Sequence, residues 1–174
     1  MRTALRLASL LLLAVACDSG GGGGSGEDNP CVAACDERCG PCTGVVSEVT
    51  DGDTIKLEDG RTVRYLYVDT PETKDGVDCF GPEAAEYNTG LLTGATVTLG
   101  FDVENVGSCT DMFQRTLAYV CVGDVWVNED LARRGYARKY DGSAATPLRY
   151  DPELDAAIAD AEEHKRGGWE ACDW

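Results

Sequence analysis

The sequence predicts an α+β chain that is mainly β: a five-stranded barrel carrying three helices, preceded by a cysteine-rich segment. Three observations predict it. From Gly44 onward β-branched residues alternate with polar ones, as in GVVSEVTDGDTIKLEDGRTVRYLYVD. That period of two marks half-buried strands. Asp-Gly pairs interrupt the alternation at turn-like intervals. The predicted order is β-β-β-α-β-β-α-α with short strands, which favours a small closed barrel ringed by helices.

Strands are expected near 44–50, 53–58 and 61–68, the last two joined at Asp59-Gly60, a strong hairpin signal. GPEAAEYNTGLL (81–92) reads as a helix with Pro82 at its first position. TVTLGFDV (96–103) is the fourth strand and TLAYVCV (116–122) the fifth, continued after Gly123-Asp124 by VWV. Asn128 is expected to cap a short helix, EDLARRG, closed by Gly135. Asp151 is expected to cap the last helix, with Pro152 in its first position and Gly167 beyond its end. An OB-type barrel is one architecture of this kind.

Residues 1–17 read as a signal peptide. Arg2 and Arg6 precede LASLLLLAVA, an apolar run too short to span a bilayer. AVAC (14–17) fits either cleavage before Cys17 or a lipobox in which Cys17 carries the lipid. DSGGGGGSGEDNP (18–30) is a Gly/Ser tether with a coil span of about 20 Å. A tether is useful when one end is fixed to a membrane, so a lipid-anchored envelope protein is the expectation, with simple secretion the alternative.

Nine cysteines are present, eight of them after Cys17. An even number in an exported chain points to disulfides. The four in CVAACDERCGPC (31–42) are expected to pair mostly among themselves, though their spacing also suits a zinc site with four cysteine ligands. The net charge is −16, and setting aside residues 1–17, with two arginines and no acid, makes it −18. That argues against a protein that coats nucleic acid through a broad basic face, and leaves room for a small phosphate-handling site.

Such a site is visible in VTDGDTIKL (49–57) and RYLYVDTPETK (64–74). Asp53 opens the second strand and Asp69 closes its antiparallel partner, so the two carboxylates can meet at one end of the sheet. They repel unless a cation lies between them, and all-oxygen ligands suit a hard ion such as Ca²⁺. Thr70 precedes Pro71 and is therefore extended, which makes its carbonyl a third oxygen donor. Pro71 then places Glu72. Arg64 supplies a phosphate fork, and Arg115, in TDMFQRTLAYV, a second. The five-residue spacing from Arg64 to Asp69 puts them on opposite faces of a regular strand, so a bulge or strand end is needed to join them. A divalent ion, two arginines and a carboxylate can hydrolyse a phosphodiester. Singly, each piece has an ordinary structural reading as a turn or a surface cation.

DGDT (51–54), RYLYVDTPETK (64–74), FGPEA (80–84), RTLAYV and VNEDLARRGYA together resemble the staphylococcal nuclease (thermonuclease) family, over roughly residues 44–172. The resemblance implies an OB-fold barrel and a monomeric Ca²⁺-dependent enzyme that cleaves DNA and RNA and leaves 3′-phosphates. It implies Asp53, Asp69 and the Thr70 carbonyl as metal ligands, with Asp51 the acid behind them. It implies Glu72 as general base, Arg64 and Arg115 as catalytic arginines, and Phe113 and Tyr140 as nucleotide-contacting aromatics. The chain departs from the namesake in a shorter loop between Glu72 and Phe80. It also has Gln114 where glycine is usual, and an acidic rather than basic composition. Weak substrate binding is expected. Arg133, Arg134, Arg138 and Lys139 are the one local basic cluster, read equally as a helix end or a steering patch. Cys79 and Cys109 flank the site loops and are expected to bond to each other, leaving Cys121 with Cys172. The alternative function is a catalytically weak OB-fold module that binds nucleic acid or protein at the cell surface.

Overall fold

The computed structural model describes residues 29–73, 76–142 and 147–174. The expectations for the signal peptide, for Cys17 and for nearly all of the tether lie outside the described residues.

The elements in chain order are α1 (Pro30–Ala33), a 3₁₀ turn (Glu37–Cys39), β1 (Thr43–Val49), β2 (Thr54–Leu57), β3 (Thr62–Tyr65) and β4 (Val68–Asp69). Then come α2 (Gly81–Leu92), β5 (Thr96–Gly100), α3 (Val103–Val106), β6 (Thr116–Val122) and β7 (Val125–Trp126). The chain ends with α4 (Val127–Arg133), β8 (Arg138–Lys139), α5 (Asp151–Glu163) and α6 (Gly168–Ala171). Strands β3-β2-β1-β5-β6 form an antiparallel run, and a parallel pairing of β3 with β6 closes it into a five-stranded barrel. β1 belongs to both halves of the barrel, pairing with β5 through residues 43–45 and with β2 through 46–49. The register shift between Val46 and Glu48 is the bulge that bends it.

The inward residues are those the alternation marks. Val46, Ile55, Val63, Val97, Leu99 and Val120 are essentially inaccessible to solvent. Each aliphatic side chain so buried contributes about 1.5–3 kcal/mol. The β2–β3 hairpin closes at Asp59-Gly60 as read from sequence. Gly60 N–H donates to the Leu57 carbonyl at 3.0 Å, and Gly60 sits at φ +90° where a side chain would be strained. The three main helices, α2, α4 and α5, lie at the expected places.

Several boundaries differ. The expected third strand breaks after Tyr65: Val68 N–H bonds back to the Leu66 carbonyl at 2.9 Å, with Tyr67 at φ +73°, and the chain resumes as β4 paired with β8. The fourth strand stops at Gly100, because Asp102 turns inward and accepts from Tyr119 Oη (3.0 Å), Asn105 Nδ2 (2.8 Å) and Arg149 N–H (2.6 Å). Asn128 is not a cap. It lies inside α4, fully buried, donating through Nδ2 to the Leu66 carbonyl (2.9 Å) and accepting the Val120 N–H (2.8 Å). Asp151 is the first helical residue of α5 rather than its cap. The helix ends at Glu163, where Lys165 at φ +50° takes the turn that Gly167 was expected to make.

The cysteine-rich segment is stitched to the barrel. Four disulfides join Cys31–Cys121, Cys35–Cys42, Cys39–Cys109 and Cys79–Cys172. Disulfides, not a four-cysteine zinc site, therefore use these residues, but the expected pairings are wrong. Cys79 bonds to Cys172 rather than Cys109, Cys121 to Cys31 rather than Cys172, and only one pair is internal to residues 31–42. The reason is position. Cys121, on β6, faces α1, which packs so closely on β5 that a Cβ at Gly100 would come 2.9 Å from Cys31 Cα. Cys79 lies against α6, its Sγ 3.5 Å from the Ala171 carbonyl oxygen. Arg61 fixes the end of the segment by donating to the Pro41 and Thr43 carbonyls at 2.7 and 3.0 Å.

Candidate active site

Asp53 and Asp69 do approach one another, and the cation between them is Arg64. Its guanidinium stands 3.1 Å from Asp53 Oδ2 and 2.6 Å from Asp69 Oδ1. It also donates to the Val68 carbonyl at 2.7 Å and the Tyr65 carbonyl at 3.2 Å. The break at Tyr67 makes this possible: it lets β4 fold back so that Asp69 returns to the face of Arg64. Asp53 in turn holds Thr70, accepting its N–H at 2.7 Å and its hydroxyl at 3.0 Å, while Thr54 donates to the other oxygen at 3.1 Å.

Asp51 supports the turn behind, its Oδ1 accepting the Asp53 N–H at 3.2 Å. Gly52 sits so close that a Cβ there would lie 2.6 Å from Thr70 Oγ1, which leaves glycine as the residue that fits. Asn88 of α2 donates to the Asp51 carbonyl at 3.0 Å and accepts from Tyr65 Oη at 3.1 Å, tying the turn to the barrel wall. Neither Asn88 nor Tyr65 was singled out from sequence, since nothing in their local pattern marks them. Burial, the nearby Asp51 and the Asp69 carboxylate push the Asp53 carboxyl up, against the pull of Arg64 and the Thr70 N–H.

The donor set fits a calcium ion. Asp53, Asp69 and the Thr70 carbonyl offer oxygen only, and two of them are joined by the Asp53–Thr70 bonds. Among the described residues, Asp69 Oδ2 and the Thr70 carbonyl oxygen accept no hydrogen bond, so both remain available. No group of three or more carboxylate, histidine or cysteine side chains poised for a metal occurs among the described residues; this set depends on a backbone carbonyl.

Glu72 is exposed on the loop that follows. Its N–H is 3.3 Å from Asp78 Oδ2 and its carbonyl accepts the Asp78 N–H at 3.0 Å, which closes the loop. Gly81, at the start of α2, is pressed against this turn, with room for no Cβ (2.6 Å to the Glu72 carbonyl oxygen).

Arg64 and Arg115 share the walls of a cavity of about 540 Å³ with Tyr67, Lys139, Tyr140 and Leu148. The parallel register brings them together, since Arg64 pairs with Leu117, two residues from Arg115. The Arg64 guanidinium lies 5.4 Å over the Tyr140 ring, so Tyr140 shares the cavity wall with the arginine. Phe113 does not line the cavity. It is 69% exposed and packs on the Arg115 guanidinium at 5.4 Å. Asp111 Oδ2 accepts from Arg115 Nε at 2.6 Å, and its Oδ1 accepts the Phe113 and Arg115 N–H groups. Asp111 was readable from its place four residues before Arg115.

The basic cluster is largely neutralised. Arg133 pairs with Glu129 and Asp160, Arg134 with Asp130, and Lys139 with Asp155. Arg138 makes no ion pair among the described residues and lies 5.2 Å over the Trp174 ring.

The site thus sits on an OB-type barrel, with Arg64 and Arg115 at one cavity and Asp53 and Asp69 paired with Arg64. A family model described as staphylococcal nuclease homologue matches residues 62–171. The chain is 35% identical over 131 residues to a thermonuclease of Staphylococcus hyicus, covering 71% of this chain and 73% of that protein. It is 44% identical over 94 residues to Endonuclease YncB of Bacillus subtilis (strain 168), covering 51% and 43%. A thermonuclease of Staphylococcus intermedius is 41% identical over 100 residues, covering 54% and 57%. The chain thus spans nearly three quarters of the first relative but only 43% and 57% of the other two. It belongs to the staphylococcal nuclease family.

Proposed function

We propose that this chain is an exported, calcium-dependent nuclease that hydrolyses phosphodiester bonds of DNA or RNA. The observation that carries the reading is the meeting of Arg64 and Arg115 at one cavity, with Arg64 also touching both candidate metal carboxylates. Asp53, Asp69 and the Thr70 carbonyl would hold the calcium ion. The chemistry supplied by a bound calcium ion is neutralisation of charge at a phosphoryl oxygen. Glu72 takes the proton of the attacking water. Arg64 and Arg115 stabilise the charge that grows on the equatorial oxygens as the new P–O bond forms and the bond to the 5′-oxygen breaks, the leaving oxygen taking its proton from solvent water. The acidic surface and the paired basic cluster support a weak ground-state affinity for the substrate strand.

Single-stranded DNA offered to the purified full-length protein, with calcium or with EDTA, tests this. Glu72→Gln is the cleanest variant because Glu72 is exposed and its carboxylate makes no hydrogen bond or ion pair among the described residues. Cleavage that needs calcium and falls about 10²–10⁴-fold in the variant is the expected result. A folded protein that binds calcium and DNA without cleavage points instead to a binding module. Cys17 is proposed as the site of lipid attachment to the cell envelope, and the mass of the mature amino terminus tests it; an unacylated cysteine would leave a secreted enzyme.

A further inference from the structure

Residues 109–117 form a small hairpin that presents Arg115. Thr110 bridges to Thr116, Leu117 N–H donates to the Cys109 carbonyl at 3.0 Å, and Asp111 N–H donates to the Arg115 carbonyl at 3.0 Å. With the Asp111 carboxylate bonded across its interior, the hairpin is stiff within itself. Its tip gains nothing from the barrel, since Met112 is 86% exposed and Phe113 69%. A stiff lever with a free tip is aimed from its base. One side of the base, Thr116 and Leu117, runs into β6 and pairs with β3; the other is Cys109, three residues beyond the four-residue α3 and two beyond Gly107 at φ +79°. Cys109 is bonded to Cys39.

Cys39 is itself a fixed point. The segment around it is held by Cys31–Cys121 on one side and by Arg61 on the Pro41 and Thr43 carbonyls on the other. Two backbone bonds, Phe101 N–H to Ala34 O and Leu99 N–H to Cys42 O, both 2.7 Å, join it to β5 and its extension. The cysteine-rich segment therefore reaches across the barrel to the base of the arginine hairpin.

We infer that the Cys39–Cys109 disulfide is a positioning device for Arg115, setting where the guanidinium enters the cavity shared with Arg64. Cys39 and Cys109 touch no substrate; they act through Arg115. The inference rests on the catalytic reading of Arg115 given above. A displacement of about 1 Å at a charge-stabilising group costs on the order of a hundredfold in rate, whereas the cavity walls from β8 and the approach to α5, Lys139, Tyr140 and Leu148, belong to elements that do not pair with this hairpin.

The test is the full-length Cys39→Ser/Cys109→Ser protein in calcium, assayed for kcat and KM at a temperature where circular dichroism shows it folded. It is compared with Cys35→Ser/Cys42→Ser, which removes the short-range pair of the same segment. Both are repeated in an Arg115→Ala background. The expected result is a fall in kcat of about tenfold to a hundredfold, with KM changed by less than about threefold. The Cys35/Cys42 pair should leave kcat within about twofold, and the Cys39/Cys109 change should add nothing once Arg115 is alanine. Unchanged kcat in the folded double-serine protein overturns the inference. So does an equal loss in both backgrounds, or an equal loss from the Cys35/Cys42 pair. Should the serine pair not fold, Cys39→Ala/Cys109→Val, which keeps apolar volume at the site, is read in the same cycle. Absence of cleavage by the unaltered protein, or full activity of Arg115→Ala, overturns the catalytic reading instead and is distinct from every outcome above.

Discussion

Arg64 Nη2 donates to Asp69 Oδ1 at 2.6 Å, although the two stand five residues apart on what reads as one strand. The same guanidinium neutralises Asp53, whose side chain is only 7% exposed. Without Arg64, a buried carboxylate loses its counter-charge. Arg64→Ala is expected to lose about 3–5 kcal/mol of stability in EDTA at neutral pH. Calcium, placing a cation at the same carboxylates, should raise the stability of Arg64→Ala by more than that of the parent. Urea midpoints with and without calcium check this, and equal shifts in the two proteins would show that the arginine and the ion do not share ligands.

Gln114 occupies φ +63°, a conformation that costs a side chain roughly 1–2 kcal/mol. Gln114→Gly relieves it but adds freedom to the unfolded chain. The net expectation is a gain of about 0.5–1 kcal/mol, read from the denaturant midpoint. The variant also clears bulk beside Arg115, so kcat should hold or rise; a lower midpoint would show that the glutamine side chain makes a compensating contact.

Burial pushes the Asp111 carboxyl up, but the Arg115 N–H and guanidinium outweigh it and hold it below its usual value. A carboxyl lowered in this way adds stability above its unfolded pKa of 3.8, and the contribution is lost as pH falls through the still lower folded value. Asp111→Asn should therefore be less stable than the parent at pH 5–7, and the gap should close below about pH 3.8. Parallel denaturation curves across that range measure it; a gap that persists at low pH would assign the effect to shape rather than charge.

Asn128 satisfies the Val120 N–H and the Leu66 carbonyl from inside α4. Asn128→Ala strands two buried backbone groups and should cost about 2–4 kcal/mol. Calorimetry checks it, and a cost under about 1 kcal/mol would mean that water fills the gap.

What the sequence made legible is what the chain builds locally. Alternation located the barrel strands, Asp59-Gly60 the hairpin and Pro82 the start of α2. Asp53, Asp69, Thr70 and Arg64 fall within two short stretches, so their neighbourhood was readable before their geometry. Contacts made through a single unusual dihedral were not. Tyr67 at φ +73° reverses the face of Asp69, and nothing about a tyrosine announces that conformation. Asn128 has the chemistry of a helix cap, and tertiary burial overrode it. Disulfide pairing failed for a related reason: Cys39 and Cys109 meet only because the barrel has already brought β5 and β6 to the segment, and sequence spacing holds no record of that approach.

The parallel seam between β3 and β6 has a kinetic meaning. Every other strand pairing in the barrel is antiparallel, whereas this one joins distant stretches of chain and forms only when the cylinder shuts. Loop-closure entropy makes such a contact late and slow. The two arginines lie on either side of that seam, so a collapsed chain with all its helices and an open barrel would still have no competent site. Recovery of turnover after dilution from denaturant is therefore a clock for the shutting of the seam, set to the last long-range event of folding rather than the first.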